Sequence, residues 1–117
     1  MKRLVRVASV TSLLFVSPLG DTRAAGPYDG QWNGSATAAG GRCKAAVVIM
    51  TVGNQTVEGQ VRFEIDTRDI HGTVSPDSTL GATIGFSHLT GRFIEDMFEG
   101  TFRSFDCTWK MVLKRVK

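Results

Sequence analysis

Residues 56–66 read Thr56-Val57-Glu58-Gly59-Gln60-Val61-Arg62-Phe63-Glu64-Ile65-Asp66. Val57, Gly59, Val61, Phe63 and Ile65 share one parity, while Glu58, Gln60, Arg62 and Glu64 take the other. Alternation with a period of two puts successive side chains on opposite faces of a strand, and one apolar face with one wetted face belongs to an antiparallel sheet. No helical period is sustained on either side of this stretch as far as residues 26 and 117.

Working outward, turn signals separate further alternating runs. They are Ala39-Gly40-Gly41, Gly53-Asn54-Gln55, Asp66–Asp69, Pro76-Asp77-Ser78, Glu95-Asp96 and Asp106. About eight short strands are predicted, at 28–37, 42–52, 56–65, 69–75, 79–87, 88–94, 97–105 and 107–116. The break at Ser87-His88 is the weakest, because Leu80 to Phe93 also reads as one bent strand. The connections are short, so the fold class is all-β, an up-and-down antiparallel meander.

A phrase recurs along this meander: an apolar residue, any residue, Gly, any residue, an apolar residue. It occurs as Tyr28-Asp-Gly-Gln-Trp32, Val57-Glu-Gly-Gln-Val61, Ile70-His-Gly-Thr-Val74, Leu89-Thr-Gly-Arg-Phe93 and Phe98-Glu-Gly-Thr-Phe102. Glycine weakens a flat strand, so its return on the apolar parity needs a cause. A coiled sheet closing into a small barrel supplies one, with inward glycines where strands bend and large neighbours filling the space. A two-sheet sandwich of hairpins is the alternative. In a barrel the expected interior is Trp32, Val47, Ile49, Val61, Phe63, Ile65, Val74, Leu80, Ile84, Phe86, Phe93, Phe98, Phe102, Trp109, Met111 and Leu113. None of these is charged, as a filled core requires.

The first 25 residues read differently. Lys2, Arg3 and Arg6 precede an uncharged, mostly apolar run, Val7 to Gly20, and small residues follow at Ala24-Ala25. This is the pattern of a cleaved secretory signal peptide, which leaves 26–117 as a single domain exported to the periplasm or beyond. No apolar run is long enough for a membrane-spanning helix. The chain has 14 Lys and Arg against 11 Asp and Glu. The leader takes Lys2, Arg3, Arg6, Arg23 and Asp21, leaving ten of each sign. A neutral domain lacks the cationic surplus that nucleic-acid binding needs.

Cys43 and Cys107 both fall in the exported part, and an even count there predicts one disulfide. Its long loop is worth roughly 4 kcal/mol in the chain-entropy model. In a barrel the two strands that carry them lie two spacings apart, roughly 9–10 Å. The bridge is therefore expected to run through the loops at one end, since regular strand holds the two cysteines too far apart.

Gly30-Gln31-Trp32 opens the first strand and Lys114-Arg115 lies in the last. This resembles the calycin pattern of lipocalins, avidins and small bacterial metalloprotease inhibitors. The resemblance implies that Trp32 packs beneath a basic side chain, Arg115 or Lys114, in a cation–π contact. Leu89-Thr-Gly-Arg-Phe93 is similar to avidin-type strands, but no residue set matches a biotin site. Cys43 echoes an early cysteine of the inhibitors, whose N-terminal segment enters the protease cleft. Ala25-Gly26-Pro27 is short for that role.

Catalysis needs titratable groups gathered in a shielded cleft. His71, His88, Glu58 and the acidic group Glu95, Asp96 and Glu99 are read as surface residues. No enzyme, cofactor or metal is expected. Two binding functions stay in play. One is a protein-interaction module, inhibitor-like, docking an envelope protein or a second copy through its loop ends or an outer apolar patch. That patch is Val48, Met50 and Val52 with Val112 and Val116, because the second strand is apolar on both parities. The other is a carrier that holds a small hydrophobic molecule against Trp32, Phe63, Phe102 and Trp109.

Overall fold

The computed structural model describes residues 26–39 and 42–116. The leader expected at 1–25 lies outside the described residues. Eight strands run β1 Gly30–Ala38, β2 Ala46–Gly53, β3 Thr56–Arg62, β4 Thr67–Val74, β5 Thr79–Ile84, β6 Ser87–Ile94, β7 Met97–Ser104 and β8 Cys107–Arg115. Each pairs antiparallel with its successor, and β8 returns to β1, closing the barrel. Among the described residues no helix is long and apolar enough to cross a membrane.

Four of the hairpins turn on two residues: Asn54-Gln55, Gly85-Phe86, Glu95-Asp96 and Phe105-Asp106. Asn54 (φ 52°), Gln55 (φ 68°), Phe105 (φ 55°) and Asp106 (φ 61°) are left-handed, as the twist of flanking strands demands of so tight a turn. Only seven residues, 39–45, join β1 to β2, and four each join β3 to β4 and β4 to β5.

Closure explains the repeated glycine. A Cβ on Gly59 would meet the Ile49 carbonyl oxygen and lie 2.8 Å from the Met50 Cα on the neighbouring strand. Gly91 and Gly100 face each other across β6 and β7. Their missing side chains are replaced by the Phe98 ring, whose Cζ would stand 2.8 Å from a Cβ on Gly100. An aromatic ring thus covers paired glycines where the sheet coils most tightly. The first copy of the phrase differs: Gly30 is exposed at a strand start, with φ 131°.

Inward side chains form one continuous core, in which Trp32, Val48, Met50, Val57, Ile70, Leu80, Ile84, Leu89, Phe98, Met111 and Leu113 are wholly buried. Four expected interior residues are not in it. Val47 is 55% exposed, Ile65 79% and Phe86 104%, and Ile49 is only half-buried. On β2 the parity is reversed. The two-residue turn pairs Val52 with Val57, so Val52, Met50, Val48 and Ala46 follow Val57 inward. Val47 then faces out beside Ser35 and Arg62. Ile65 falls in the β3–β4 loop, where the Phe63 N–H donates to the Asp66 carbonyl and ends the strand. Phe86 is carried outward by the turn that starts at Gly85.

Cys43 and Cys107 are bridged, with Cα atoms 6.6 Å apart and a separation of 64 positions in sequence. Cys43 lies in the β1–β2 loop and Cys107 at the first position of β8. The bridge therefore runs through loop, as the strand spacing requires.

Candidate functional site

The barrel has two unlike ends, each set by an arginine on an inward parity. Arg115 follows Trp109, Met111 and Leu113 along β8 and so reaches the end where β1 begins. Its guanidinium carbon lies 4.8 Å from the centre of the Trp32 ring. Its Nε donates to the Asp96 carboxylate, and its two terminal nitrogens donate to the Asp29 and Pro27 carbonyls, all at 3.0 Å. Trp32 Nε1 donates to the Tyr28 carbonyl at 2.9 Å, and Tyr28 stacks on Phe93 at 4.8 Å. Residues 26–29 are thereby drawn across this end and seal it. Asp96, one of the acidic group near the β6–β7 turn, is occupied here as the partner of Arg115. At the adjacent β4–β5 turn, the Thr79 side chain and N–H hold the Asp77 carboxyl below its ordinary pKa.

The other end is open and aromatic. Phe63, Phe102 and Trp109 meet there. The Phe102 and Trp109 rings are parallel with centroids 5.7 Å apart, and Phe63 stands edge-on to Trp109 at 5.1 Å. Phe105, at the tip of the β7–β8 turn, meets Phe63 edge-on at 5.0 Å. Arg68 lies 4.3 Å over the Phe105 ring, ion-paired with Asp66 and donating to the Ser104 hydroxyl at 3.0 Å. The Ser104 carbonyl in turn accepts from Trp109 Nε1 at 3.0 Å, so Ser104, the one buried polar residue among the described residues, is satisfied.

Between these loops lies a cup of about 300 Å³, lined by Phe63, Ile65, Phe105 and Trp109 with Arg42, Cys43, Lys44 and Glu64 at its edge. The disulfide ties two of the loops that form it. Lys44 and Glu64 pair across the edge at 3.4 Å, both well exposed. Phe105 is a bulky residue held at positive φ, a conformation that costs energy and is kept in place by the Arg68 and Phe63 contacts.

Of the four aromatics put forward as ligand-holding, Phe63, Phe102 and Trp109 are together and Trp32 is not. Trp32 belongs to the sealed end, with Tyr28, Phe93 and Arg115. Of the proposed outer patch, Val48, Met50 and Val52 are buried in the core and cannot form it, because the β2 register turns them inward. Val112 is half-buried on the outer face and Val116 is 47% exposed beyond β8. His71 and His88 are exposed on the outer wall, on either side of Thr83 in register. Among the described residues no three or more His, Cys, Asp and Glu side chains are grouped to hold a metal ion.

Sequence reasoning missed Arg68, Ile65 and Phe105 as site residues. The readable signal for Arg68 was its parity, since it alternates in step with Ile70 and Val74 on β4. Comparison with protein-family models, with curated proteins and with solved structures finds no match to this chain.

Proposed function

We propose that this chain is an exported, non-catalytic interaction module that recognises a protein surface with the open, disulfide-tied end of its barrel. The observation that carries the reading is the contrast between ends. One is closed over by residues 26–29 and Arg115. The other presents Ile65 and Phe105 at an apolar cup, with Phe86 exposed on a neighbouring turn. Apolar side chains that a small domain holds out to solvent on loops, over a rigid scaffold, mark recognition sites.

The basic start and apolar run of residues 1–25 support export, and the Cys43–Cys107 bridge agrees with an oxidising compartment. The Trp32–Arg115 stack beneath an eight-strand closed barrel supports a calycin-like assignment. A carrier needs room inside, and here wholly buried side chains such as Trp32, Met50, Ile70, Phe98, Met111 and Leu113 point into the barrel, which favours the interaction reading. The cup is also at the small end of the size range of small-molecule sites. An inhibitor-like role would use the loops of the open end, because residues 26–29 are engaged at the opposite one.

The test places a photoreactive side chain at Ile65 and, as a control, at the exposed wall position Thr101, in cells that produce the protein. Crosslinks to protein from position 65 and none from position 101 support the reading. Equal yields from both positions would remove it.

A further inference from the structure

Residues 26–29, which cross the sealed end, fold as a turn: the Asp29 N–H donates to the Gly26 carbonyl at 3.2 Å. Pro27 stands at its second position, where its fixed φ suits such a turn. The fold-back lays the half-buried Asp29 side chain against Gly26, so that a Cβ built on Gly26 would stand 3.0 Å from Asp29 Oδ1. That oxygen also accepts the Asn54 N–H at 3.2 Å, which holds it in place. Among the described residues the Asp29 carboxylate has no ion pair. The other charged groups of this end do not supply one. Arg115 and Asp96 pair with each other, and Asp77 and Glu95, on the β4–β5 and β6–β7 turns, are themselves anions.

We propose that Ala25–Gly26 is the bond cut when the leader is removed, and that the Asp29 carboxylate is the counter-ion of the ammonium this leaves on Gly26. Hydrolysis adds one water across the bond, giving a carboxylate on Ala25 and an amine on Gly26 that is mostly protonated at neutral pH. In the precursor the Gly26 nitrogen is an uncharged amide. Once freed, it can swing about the Gly26 Cα–C bond, a rotation that leaves the carbonyl and its hydrogen bond where they are. The swing carries it toward the space that a Cβ would fill, within ion-pair reach of Asp29 Oδ1. Glycine keeps that space open, where any side chain would occupy it. A cut one bond earlier sets the charge a residue farther out, by up to about 3.8 Å. Removal of the leader thus adds a last contact to the segment that Arg115 holds across the barrel end. The proposal rests on the export reading above and fixes the position of the cut.

The test is the intact mass of the protein recovered from the envelope of producing cells, followed by magnetic resonance titration of its α-amino group. A chain of residues 26–117 is expected. Its α-amino pKa should be raised by about 0.5 above that of an ordinary amino terminus, a roughly threefold tighter hold on the proton. Asp29→Asn should abolish the rise, since the amide oxygen still accepts the Asn54 N–H but carries no charge. Near-ultraviolet circular dichroism verifies that this variant is folded. In the parent, about 1 M salt should shrink the same rise, a check that needs no variant. An ordinary pKa, or a rise indifferent to Asp29→Asn or to salt, overturns the proposal. A chain cut at another bond overturns it too, and leaves export standing. A chain that keeps residues 1–25 removes export and the proposal together.

Discussion

Arg115 and Trp32 are register partners on the seam where β8 closes on β1, and the guanidinium of one lies 4.8 Å over the ring of the other. Closure of the sheet and sealing of one end thus depend on the same pair. The stack also orders the N-terminal segment, since Arg115 binds the Asp29 and Pro27 carbonyls.

Arg115→Ala should therefore cost about 2–4 kcal/mol, from the lost stack and the charge-assisted hydrogen bonds. Arg115→Lys should recover only a minor part, because an ammonium cannot reach three acceptors in the plane that the fork does. Urea denaturation monitored by tryptophan fluorescence measures both. Equal stability of the Lys variant and the parent would refute the role given to the fork.

Removing the bridge with Cys43→Ala/Cys107→Ala should lower stability by roughly 4 kcal/mol, the chain-entropy value for a loop of 64 residues. The loss should be accompanied by faster amide exchange in the β1–β2 and β7–β8 loops, with the sealed end unaffected. Uniform loosening of both ends would contradict the assignment of the disulfide to the open end.

The glycines divide into two kinds. Gly100→Ala puts a methyl 2.8 Å from the Phe98 ring and 2.9 Å from the Thr90 carbonyl oxygen, and should cost about 1–3 kcal/mol as overpacking. Phe98→Leu in the same chain should relieve part of that cost. A Cβ at Gly81 meets nothing within 4 Å, so Gly81→Ala should be neutral or stabilising by up to about 1 kcal/mol. Thermal melts of the three variants decide the matter.

Phe105 occupies a turn position that suits Asn far better than an aromatic residue. Phe105→Asn should change stability by no more than about 1 kcal/mol, lost ring contacts being offset by relieved backbone strain. It should nevertheless abolish uptake of anilinonaphthalene sulfonate, because the ring forms one wall of the cup. Undiminished uptake would show that the cup is not the apolar site of this end.

The strand count, the closed meander, the loop-borne disulfide and the turns at Asn54-Gln55, Pro76-Asp77-Ser78, Glu95-Asp96 and Asp106 were legible in the sequence, because alternation, tight-turn residues and the glycine phrase agree with one another. The turn expected at Asp66–Asp69 falls at 63–66, and the break expected at Ser87-His88 falls at Gly85-Phe86. The parity of β2 was not legible, since apolar residues occupy both of its faces. The two-residue turn at Asn54-Gln55 resolves it, by tying Val52 to the inward Val57. Ile65 and Phe86 keep the apolar rhythm after their strands have ended, and rhythm alone does not register where hydrogen bonding stops. The candidate site was half legible. Trp32 opens β1 and Trp109 lies near the start of β8, and antiparallel strands put those positions at opposite ends. Grouping them as one ligand wall overlooked that consequence of the meander.

The most direct test of the recognition account is native mass spectrometry of the unreduced protein taken from the envelope of the cells that make it. The account predicts the mass of the bare chain, in a dimer or with a protein companion, and loss of that assembly in Ile65→Ser. A monomer bearing a small molecule that is released on denaturation would contradict it, and would make the barrel a carrier.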